Sequence, residues 1–288
     1  MRILSLVIAL SMVAACSGAS RPSRRAGAAA ASVEIPPAPD QPISALEKSN
    51  KAEPGDLDAV TARGHIRILV APSRLYFETV EGRHRGRAVD AGVALAKQLS
   101  ETAQREVVPV FIETPEDQLI PSLLAGKGDV AANVLLTITR DEQVAFAPPI
   151  KSGIREIVVI DGRSPLVSLE DVGGRLIHVR KNTDHHLSLI RLNEQLKKNN
   201  RRPAVILFDE KAKTDEDLLD SVNAGRVRAT IVDDYIFDLW KKDMLKIADT
   251  NRDIAVSQDG VIAWVSRKDA PAMTALLKDF FSTRKLTF

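Results

Sequence analysis

The 288-residue sequence is poor in cysteine, in aromatic residues and in net charge. Its single cysteine excludes an intramolecular disulfide and any metal or iron–sulfur site built from several cysteines. Aromatic residues make up 4% of the chain, which is too few for large stacking surfaces that bind carbohydrate or single-stranded nucleic acid. A formal net charge of +2 argues against a dense basic surface, so we expect no nucleic-acid partner. The 44% of hydrophobic residues is typical of a globular protein with one large or two medium domains.

The chain begins with the features of a bacterial lipoprotein leader. Met1-Arg2 is a short basic start, and residues 3–13 form an apolar run that is too short to span a bilayer as a helix. The run ends in Val-Ala-Ala-Cys at Cys16, which resembles the lipobox, where a signal peptide is cut before a cysteine that receives diacylglycerol. We therefore predict a lipoprotein signal peptide over residues 1–15 and interpret Cys16 as the lipid attachment site, not as a buried core cysteine.

Lipidation of Cys16 would place the protein at a membrane. Several acyl chains, palmitate among them, give a stable anchor because each buried methylene adds roughly 0.8 kcal/mol. We expect a periplasmic protein that is lipid-anchored to the cell envelope. Ser17 follows the cysteine where an Asp would favour the inner membrane, so resemblance to enterobacterial sorting favours the outer membrane.

A flexible tether is predicted behind the lipidated cysteine, over residues 16–55. This stretch is dominated by Ser, Arg, Ala and Pro and has no sustained apolar period. A flexible chain of that length has an r.m.s. reach of about 35 Å. Arg21, Arg24 and Arg25 could contact anionic phospholipid, but solvated side chains are the simpler interpretation.

Beyond Asp56, strand-like and helix-like segments alternate. Strands are expected at residues 66–71, 107–112, 129–134, 154–160, 176–179, 205–208, 229–232 and 261–265. Helices are expected at residues 89–99, 184–196 and 270–281, with two more opened by Thr114 and by the capping box at Thr214. This alternation predicts an α/β protein in which mostly parallel sheets are flanked by helices, arranged as two lobes with a cleft between them.

Five short segments follow a pattern that recurs in one protein family. They are residues 64–70 (GHIRILV), Gly86 with Asp90, residues 119–129 (LIPSLLAGKGD), residues 137–140 (TITR) and residues 146–149 (FAPP). Together they resemble the family 3 extracellular solute-binding proteins of bacteria, over residues 56–288. The resemblance implies the two-lobe fold of a type II periplasmic binding protein. Lobe 1 would comprise residues 56–151 plus 258–288, lobe 2 residues 152–257, and the chain would cross near residues 150–154 and 255–260.

Four further segments resemble one branch of that family. Residues 179–183 (VRKNT), 218–225 (LLDSVNAG), 230–233 (TIVD) and 263–268 (AWVSRK) are similar to the regulatory domain of membrane-bound lytic transglycosylase F. Nothing in the sequence resembles that enzyme's catalytic Glu in its E-S-x-x-N-P setting, and Phe288 stands where the enzyme domain would soon begin. The resemblance therefore implies a protein without catalytic residues, and we expect neither a cofactor nor a metal.

The resemblance also implies a pair of ligand-binding charges. Arg140 aligns with the arginine that binds the ligand carboxylate in the family, and a guanidinium matches a carboxylate two-to-two. Asp233 aligns with the acid that binds the ligand amine from the other lobe. The alternatives are a solvated loop arginine and a helix N-cap, respectively.

Supporting ligand contacts are expected from three polar residues and one aromatic residue. Asn133, Thr137 and Thr183 offer amide or hydroxyl groups, and Tyr76 or Phe77 would form an apolar wall. Thr137 could equally bond turn backbone.

His185 and His186 lie side by side at a predicted helix start. Adjacent side chains on a helix point about 100° apart, so both cannot face one metal ion. We interpret them as polar helix-start residues, with a pH-sensitive ligand contact as the alternative. The run Asp215-Glu216-Asp217 is interpreted as a favourable first helical turn.

The leading hypothesis is a lipid-anchored periplasmic protein that closes on a small amino-acid-like or muropeptide-like ligand and performs no chemistry. Its partners would be that ligand, the membrane, and either an ABC importer or a lytic transglycosylase. One alternative is a regulatory module for a separate transglycosylase or envelope complex. Another is a dehydratase-type enzyme on the same fold, with Glu78 or Glu81 as the acid.

Overall fold

The computed structural model describes residues 33–48, 51–162, 165–242 and 248–286, all within one compact unit. The predicted signal peptide and Cys16 lie outside the described residues, as does the predicted tether before residue 33. Within the described ranges, no helix combines the length and the apolar character that a membrane crossing requires.

The structure contains strands and helices in alternation. The strands are β1 (Val33–Glu34), β2 (Gln41–Pro42), β3 (His65–Val70), β4 (Glu78–Val80), β5 (Arg83–Arg85), β6 (Val108–Glu113), β7 (Val130–Leu135), β8 (Val144–Phe146), β9 (Lys151–Ile160), β10 (Leu176–Val179), β11 (Val205–Phe208), β12 (Ala229–Asp233), β13 (Ala255–Arg267) and β14 (Arg284–Lys285). The helices are α1 (Leu57–Arg63), α2 (Arg87–Ala103), α3 (Leu119–Leu124), α4 (Ile138–Gln143), α5 (Asp184–Lys198), α6 (Asp215–Asn223), α7 (Asp234–Lys241) and α8 (Pro271–Thr283). Short 3₁₀ turns lie at Ala45–Lys48, Glu116–Gln118 and Leu169–Val172.

One sheet runs through the molecule in the order β11-β10-β12-β9-β13-β7-β3-β6, with β8 also paired to β13. Strands β6, β3 and β7 are parallel at one end, and β11, β10 and β12 are parallel at the other. We refer to the first group with its helices as lobe 1 and to the second as lobe 2.

The long strands β9 and β13 run antiparallel in the middle and join the two lobes. Ile154 pairs with Gly260 there, and Lys151 with Ile262. The residues at which the chain was expected to cross between lobes therefore lie beside each other. The exact lobe boundaries remain a prediction.

Alternating side chains give the sheet an apolar cover on both faces. In β9, Ile157 and Val159 belong to one buried cluster and Val158 and Ile160 to another. Successive residues of a strand point to opposite faces, so a run of consecutive apolar residues is expected where helices cover both. This explains why the central strands read as continuous hydrophobic segments in the sequence.

The segment at residues 33–48, which we call the N-terminal segment, is attached to lobe 1. Its strand β1 pairs with β14, and Ile35 is 1% exposed in the lobe 1 core. Glu47 lies 2.8 Å from Nε2 of the buried His84. These contacts attach residues 33–48 to lobe 1, within the range for which the sequence predicts a flexible tether. The buried Ile35 and the contact between Glu47 and His84 hold a stretch that shows no apolar period.

Of the two helix caps predicted at threonines, Thr214 is observed as a cap and Thr114 is not. Thr214 forms the expected capping box with Asp217 at the start of α6. Thr114, in contrast, does not cap a helix, because its hydroxyl donates to the carbonyl of Ile112 and a 3₁₀ turn precedes α3.

Candidate functional site

A cavity of about 670 Å³ lies between the lobes. Its walls are formed where strands end: β3 continues into Ser73, β7 into Thr137, β10 into Arg180, and β12 ends at Asp233. Loops at the carboxyl ends of parallel strands are the usual place for ligand binding in α/β proteins. Charged side chains from both lobes line the cavity, namely Glu116, Asp117 and Arg140 from lobe 1 and Arg180, Asp184, His185, Arg191, Asp215, Glu216 and Asp233 from lobe 2.

Two threonine caps fix the helices that carry the most important of these charges. The hydroxyl of Thr137 accepts a hydrogen bond from the backbone N–H of Arg140 at 3.2 Å and so begins α4. The hydroxyl of Thr183 accepts from the N–H of His186 at 3.4 Å and begins α5. Because the caps set where each helix starts, they also set where Arg140 and Asp184 project.

Arg140 and Asp184 form an ion pair between the lobes. The two terminal nitrogens of Arg140 donate to the two carboxylate oxygens of Asp184 at 2.9 and 2.8 Å, and one of them also donates to the carbonyl of Leu135 at 3.0 Å. Both side chains are about one-fifth exposed. This two-to-two geometry is the one expected between Arg140 and a ligand carboxylate.

His185 lies between two carboxylates of lobe 2. Its Nε2 is 3.1 Å from Asp233 and its Nδ1 is 3.6 Å from Asp215. Burial disfavours the charged ring, but Asp215 and Asp233 outweigh burial and raise the pKa of His185 well above its usual value. A carboxylate on each side of the ring favours its protonated, imidazolium form, in which Nε2 donates to Asp233.

Asp215 is the most strongly stabilised anion of the site. Its burial alone would raise its pKa, but Arg180 and His185 outweigh burial and hold the pKa of Asp215 far below the ordinary range. The Nε of Arg180 donates to Asp215 at 2.9 Å. Asp215 thus binds two cations at once.

In two glutamates of the site, in contrast, the carboxyl pKa is raised. Glu116 reaches across from lobe 1 to the guanidinium of Arg180 at 3.2 Å and to the N–H of Asp184 at 2.8 Å. Burial and the nearby Asp184 nevertheless raise the pKa of Glu116 to about 7. Glu216 accepts from the Ser73 hydroxyl at 3.1 Å and the Leu75 N–H at 3.3 Å, and burial followed by Asp215 raises its pKa.

Two tyrosines close one side of the cavity. The hydroxyls of Tyr76 in lobe 1 and Tyr235 in lobe 2 are 3.0 Å apart, and the rings meet edge to face with centroids 6.5 Å apart. Burial raises the pKa of both phenols above their usual value, so both hydroxyls stay protonated. The expected aromatic wall at Tyr76 therefore also has a polar contact across the cleft.

The structure brings most of the predicted site residues together. Arg140, Asp233, Asn133, Thr137 and Tyr76 line the cavity. Asn133 has a left-handed backbone with φ of 56°, and its side-chain oxygen accepts from the indole N–H of Trp264 at 3.2 Å.

Some predicted residues lie elsewhere. Thr183 does not line the cavity, since it is buried as the cap of α5. Phe77 is buried in the core of lobe 1. Glu78 pairs with Arg85 at 2.7 Å, away from the cavity.

Sequence reasoning missed several members of the site. His185 is not simply a polar helix-start residue, because it is buried and ion-paired, whereas His186 packs against Phe208. The other missed residues are Glu116, Arg180, Asp184, Asp215 and Glu216. All lie just after a strand or in the first turn of a helix, which is the signal that could have identified them. No group of three or more potential ligands is arranged to hold a metal ion in the described part of the chain.

Residues 66–285 match the family described as bacterial extracellular solute-binding proteins, family 3. The membrane-bound lytic murein transglycosylase F of Saccharophagus degradans is 26% identical over 239 residues, which cover 81% of this chain and 44% of that protein. The histidine-binding periplasmic protein of Escherichia coli is 28% identical over 120 residues, which cover 41% of this chain and 45% of that protein. The matched regions thus span less than half the length of these curated relatives.

The fold is similar to that of a solved ancestral amino acid-binding protein described as a precursor of cyclohexadienyl dehydratase. The TM-score is 0.58 at 21% identity, with 78% of this chain and 91% of that chain covered. This likeness agrees with the two parallel-sheet lobes joined by β9 and β13, the architecture of type II periplasmic binding proteins. Since the family match extends from β3 to β14, the chain belongs to the bacterial extracellular solute-binding proteins, family 3.

Proposed function

We propose that the protein binds a small solute between its two lobes and performs no chemistry on it. The observation that carries this proposal is the cavity of about 670 Å³, which charged side chains from both lobes border. That volume falls within the usual range for small-molecule sites, about 300–1,000 Å³. Residues from opposite lobes that contact one solute would favour the closed arrangement of the lobes.

The proposed ligand is an amino-acid-like or muropeptide-like molecule. One relative is named a histidine-binding protein, one fold neighbour an amino acid-binding protein, and another relative a lytic murein transglycosylase. Both ligand classes carry amine groups, which suit an acidic residue such as Asp233. Asn133, Thr137, Arg140 and Tyr76 border the same space and would contact the solute.

Calorimetric titration of the detergent-solubilised full chain tests this proposal. The panel consists of amino acids, the amines derived from them, and cell-wall peptides. We expect one class to bind, and Asp233→Ala to weaken its binding at least tenfold while the exposed control Asp141→Ala leaves it unchanged. No binding across the panel would overturn the proposal, and turnover of prephenate by the wild-type chain would replace it by a dehydratase.

We propose further that the protein is lipid-anchored through Cys16 in the periplasm, on the outer membrane. The lipobox-like sequence before Cys16 supports this location. Labelled palmitate is expected in the wild-type chain and not in Cys16→Ala, which should leave the membrane fraction. Equal labelling or equal membrane association of the two chains would contradict the anchor.

A second candidate function is a regulatory module that acts on a separate lytic transglycosylase or envelope complex. It is favoured by the ion pairs that join the lobes through the protein's own residues, and by the name of one relative. Cross-linking in membranes separates the candidates: an importer as the main partner supports solute delivery, a transglycosylase supports regulation.

A further inference from the structure

The inference in this section rests on the proposed function, since it concerns which solutes the cleft accepts. We propose that Asp184 is a specificity-determining residue: by holding Arg140, it makes the cleft select organic cations that carry an amine or guanidine group and lack a carboxylate, over the corresponding amino acids.

The guanidinium of Arg140 is already bound by a carboxylate of the chain. Both terminal nitrogens donate to Asp184, and the carbonyl of Leu135 takes a further bond. The carboxylate of a solute would have to displace the Asp184 carboxylate, which belongs to the same chain as Arg140. A tethered group acts at an effective concentration in the millimolar range, so a solute at micromolar concentration competes poorly for Arg140.

Two further cations of the cavity, Arg180 and His185, also have carboxylate partners from the chain. Arg180 pairs with Asp215 and Glu116, and His185 pairs with Asp215 and Asp233. Arg191 also lines the cavity, and it is exposed. Among the described residues that line the cavity, every cation except the exposed Arg191 therefore already has a carboxylate partner.

The acidic side chains that line the cavity outnumber the cationic ones. Six carboxyl side chains line the cavity against three guanidinium groups and one imidazole. Glu116 shares its guanidinium, Arg180, with Asp215. Glu216, 1% exposed, accepts hydrogen bonds from the neutral donors Ser73 and Leu75, and no cation lies in ion-pair distance of it within the described ranges. With every acid ionised the cavity would carry a net negative charge, which favours an entering cation over an anion and also favours protonation of the least compensated acids.

The raised pKa values of Glu116 and Glu216 agree with this charge balance. Both glutamates hold protons at a pH where an exposed glutamate would not, because burial and neighbouring acids are not offset by enough positive charge. An ammonium group that enters the cavity would supply that charge.

Matched probes that differ only in a carboxylate test the inference. Calorimetry on the solubilised full chain would compare agmatine with arginine and cadaverine with lysine. We expect each amine to bind at least tenfold more tightly than its amino acid, and to release protons on binding near pH 7. Asp184→Asn and Asp184→Ala free Arg140, so arginine should gain at least tenfold in affinity. The exposed Asp141→Asn removes the same charge beside Arg140 and should change neither preference.

The affinities of the wild-type chain test the inference and the proposed function separately. Arginine that binds the wild-type chain as tightly as agmatine overturns the inference and leaves the proposed function intact. Absence of binding by both amines overturns the inference, and absence of binding by every compound of the wider panel overturns the proposed function as well. The wild-type comparison decides on its own if the Asp184 variants do not fold.

Discussion

Arg140 of lobe 1 and Asp184 of lobe 2 form a two-to-two ion pair across the cleft, with nitrogen–oxygen distances of 2.9 and 2.8 Å. The next residue, His185, contacts Asp233 in the same cavity. Two consecutive residues of α5 thus supply the anion that pairs with Arg140 and the cation that pairs with Asp233. Charged groups of the chain itself therefore pair across the cleft and stabilise the closed arrangement of the lobes.

His185 should stabilise the fold more strongly in mild acid than in alkali. Its pKa is raised in the folded state, so folding favours the protonated ring. That contribution is fully present below the ordinary pKa of histidine, about 6.5, and is lost as pH rises through the folded-state value. We expect His185→Gln to cost about 3 kcal/mol of unfolding free energy at pH 6 and clearly less at high pH.

Urea unfolding at several pH values measures this difference. His65→Gln is the matched control, since His65 forms no ion pair within the described ranges and lies in β3, away from the cavity. A cost for His185→Gln that is the same at every pH would contradict the assignment of a charged ring.

The stability that Glu116 contributes to the fold should decline as pH rises through neutrality. Burial and Asp184 raise its pKa to about 7, with Asp215 adding to the effect and Arg180 opposing it. A raised pKa in the folded state gives stability that is present below the unfolded value, about 4.3, and is lost as pH rises through about 7. Glu116→Gln should therefore flatten the decline of unfolding free energy between about pH 5 and 8.

The exposed Glu113→Gln serves as the control for this measurement. It removes the same charge from a residue near the end of β6 and should leave the slope unchanged. A slope that is identical in wild type and Glu116→Gln would show that Glu116 does not titrate near neutrality.

Ile35 should contribute to the stability of lobe 1 although it lies in a stretch that reads as a tether. It is 1% exposed in the same apolar cluster as Phe280 and Leu95. Ile35→Ala should cost about 2–5 kcal/mol of unfolding free energy. Val33→Ala, at a residue that is 66% exposed, should cost about 0.5 kcal/mol or less. Equal effects of the two variants would show that the N-terminal segment is not bound to lobe 1 in solution.

The alternating elements could be predicted because their causes are local. Apolar runs such as residues 154–160 form strands that are covered on both faces, and the capping box at Thr214 starts α6. The N-terminal segment could not be predicted, because its attachment depends on Ile35 reaching a core made by distant helices. A contact of this kind produces no periodic pattern of apolar residues in the local sequence.

The positions of the site residues could be predicted better than their partners. Arg140 and Asp233 both line the cavity, as the family resemblance implied. The partner of Arg140 is 44 residues away in the other lobe, and only the closed fold brings the two together. The burial of His185 has the same origin, since its neighbours Asp215 and Asp233 come from α6 and the end of β12.

The distance between the lobes in the absence of solute tests most directly the claim that the Arg140–Asp184 pair holds the cleft closed. Spin labels at Lys97→Cys in α2 and Glu194→Cys in α5, both exposed, report this distance in the full chain carrying Cys16→Ala. For the labelled chain without a substitution in the cleft, we predict a single narrow distribution of label-to-label distances. Asp184→Asn should add a population at longer distance, and Asp141→Asn should leave the distribution unchanged. Identical distributions with and without Asp184→Asn would contradict the claim.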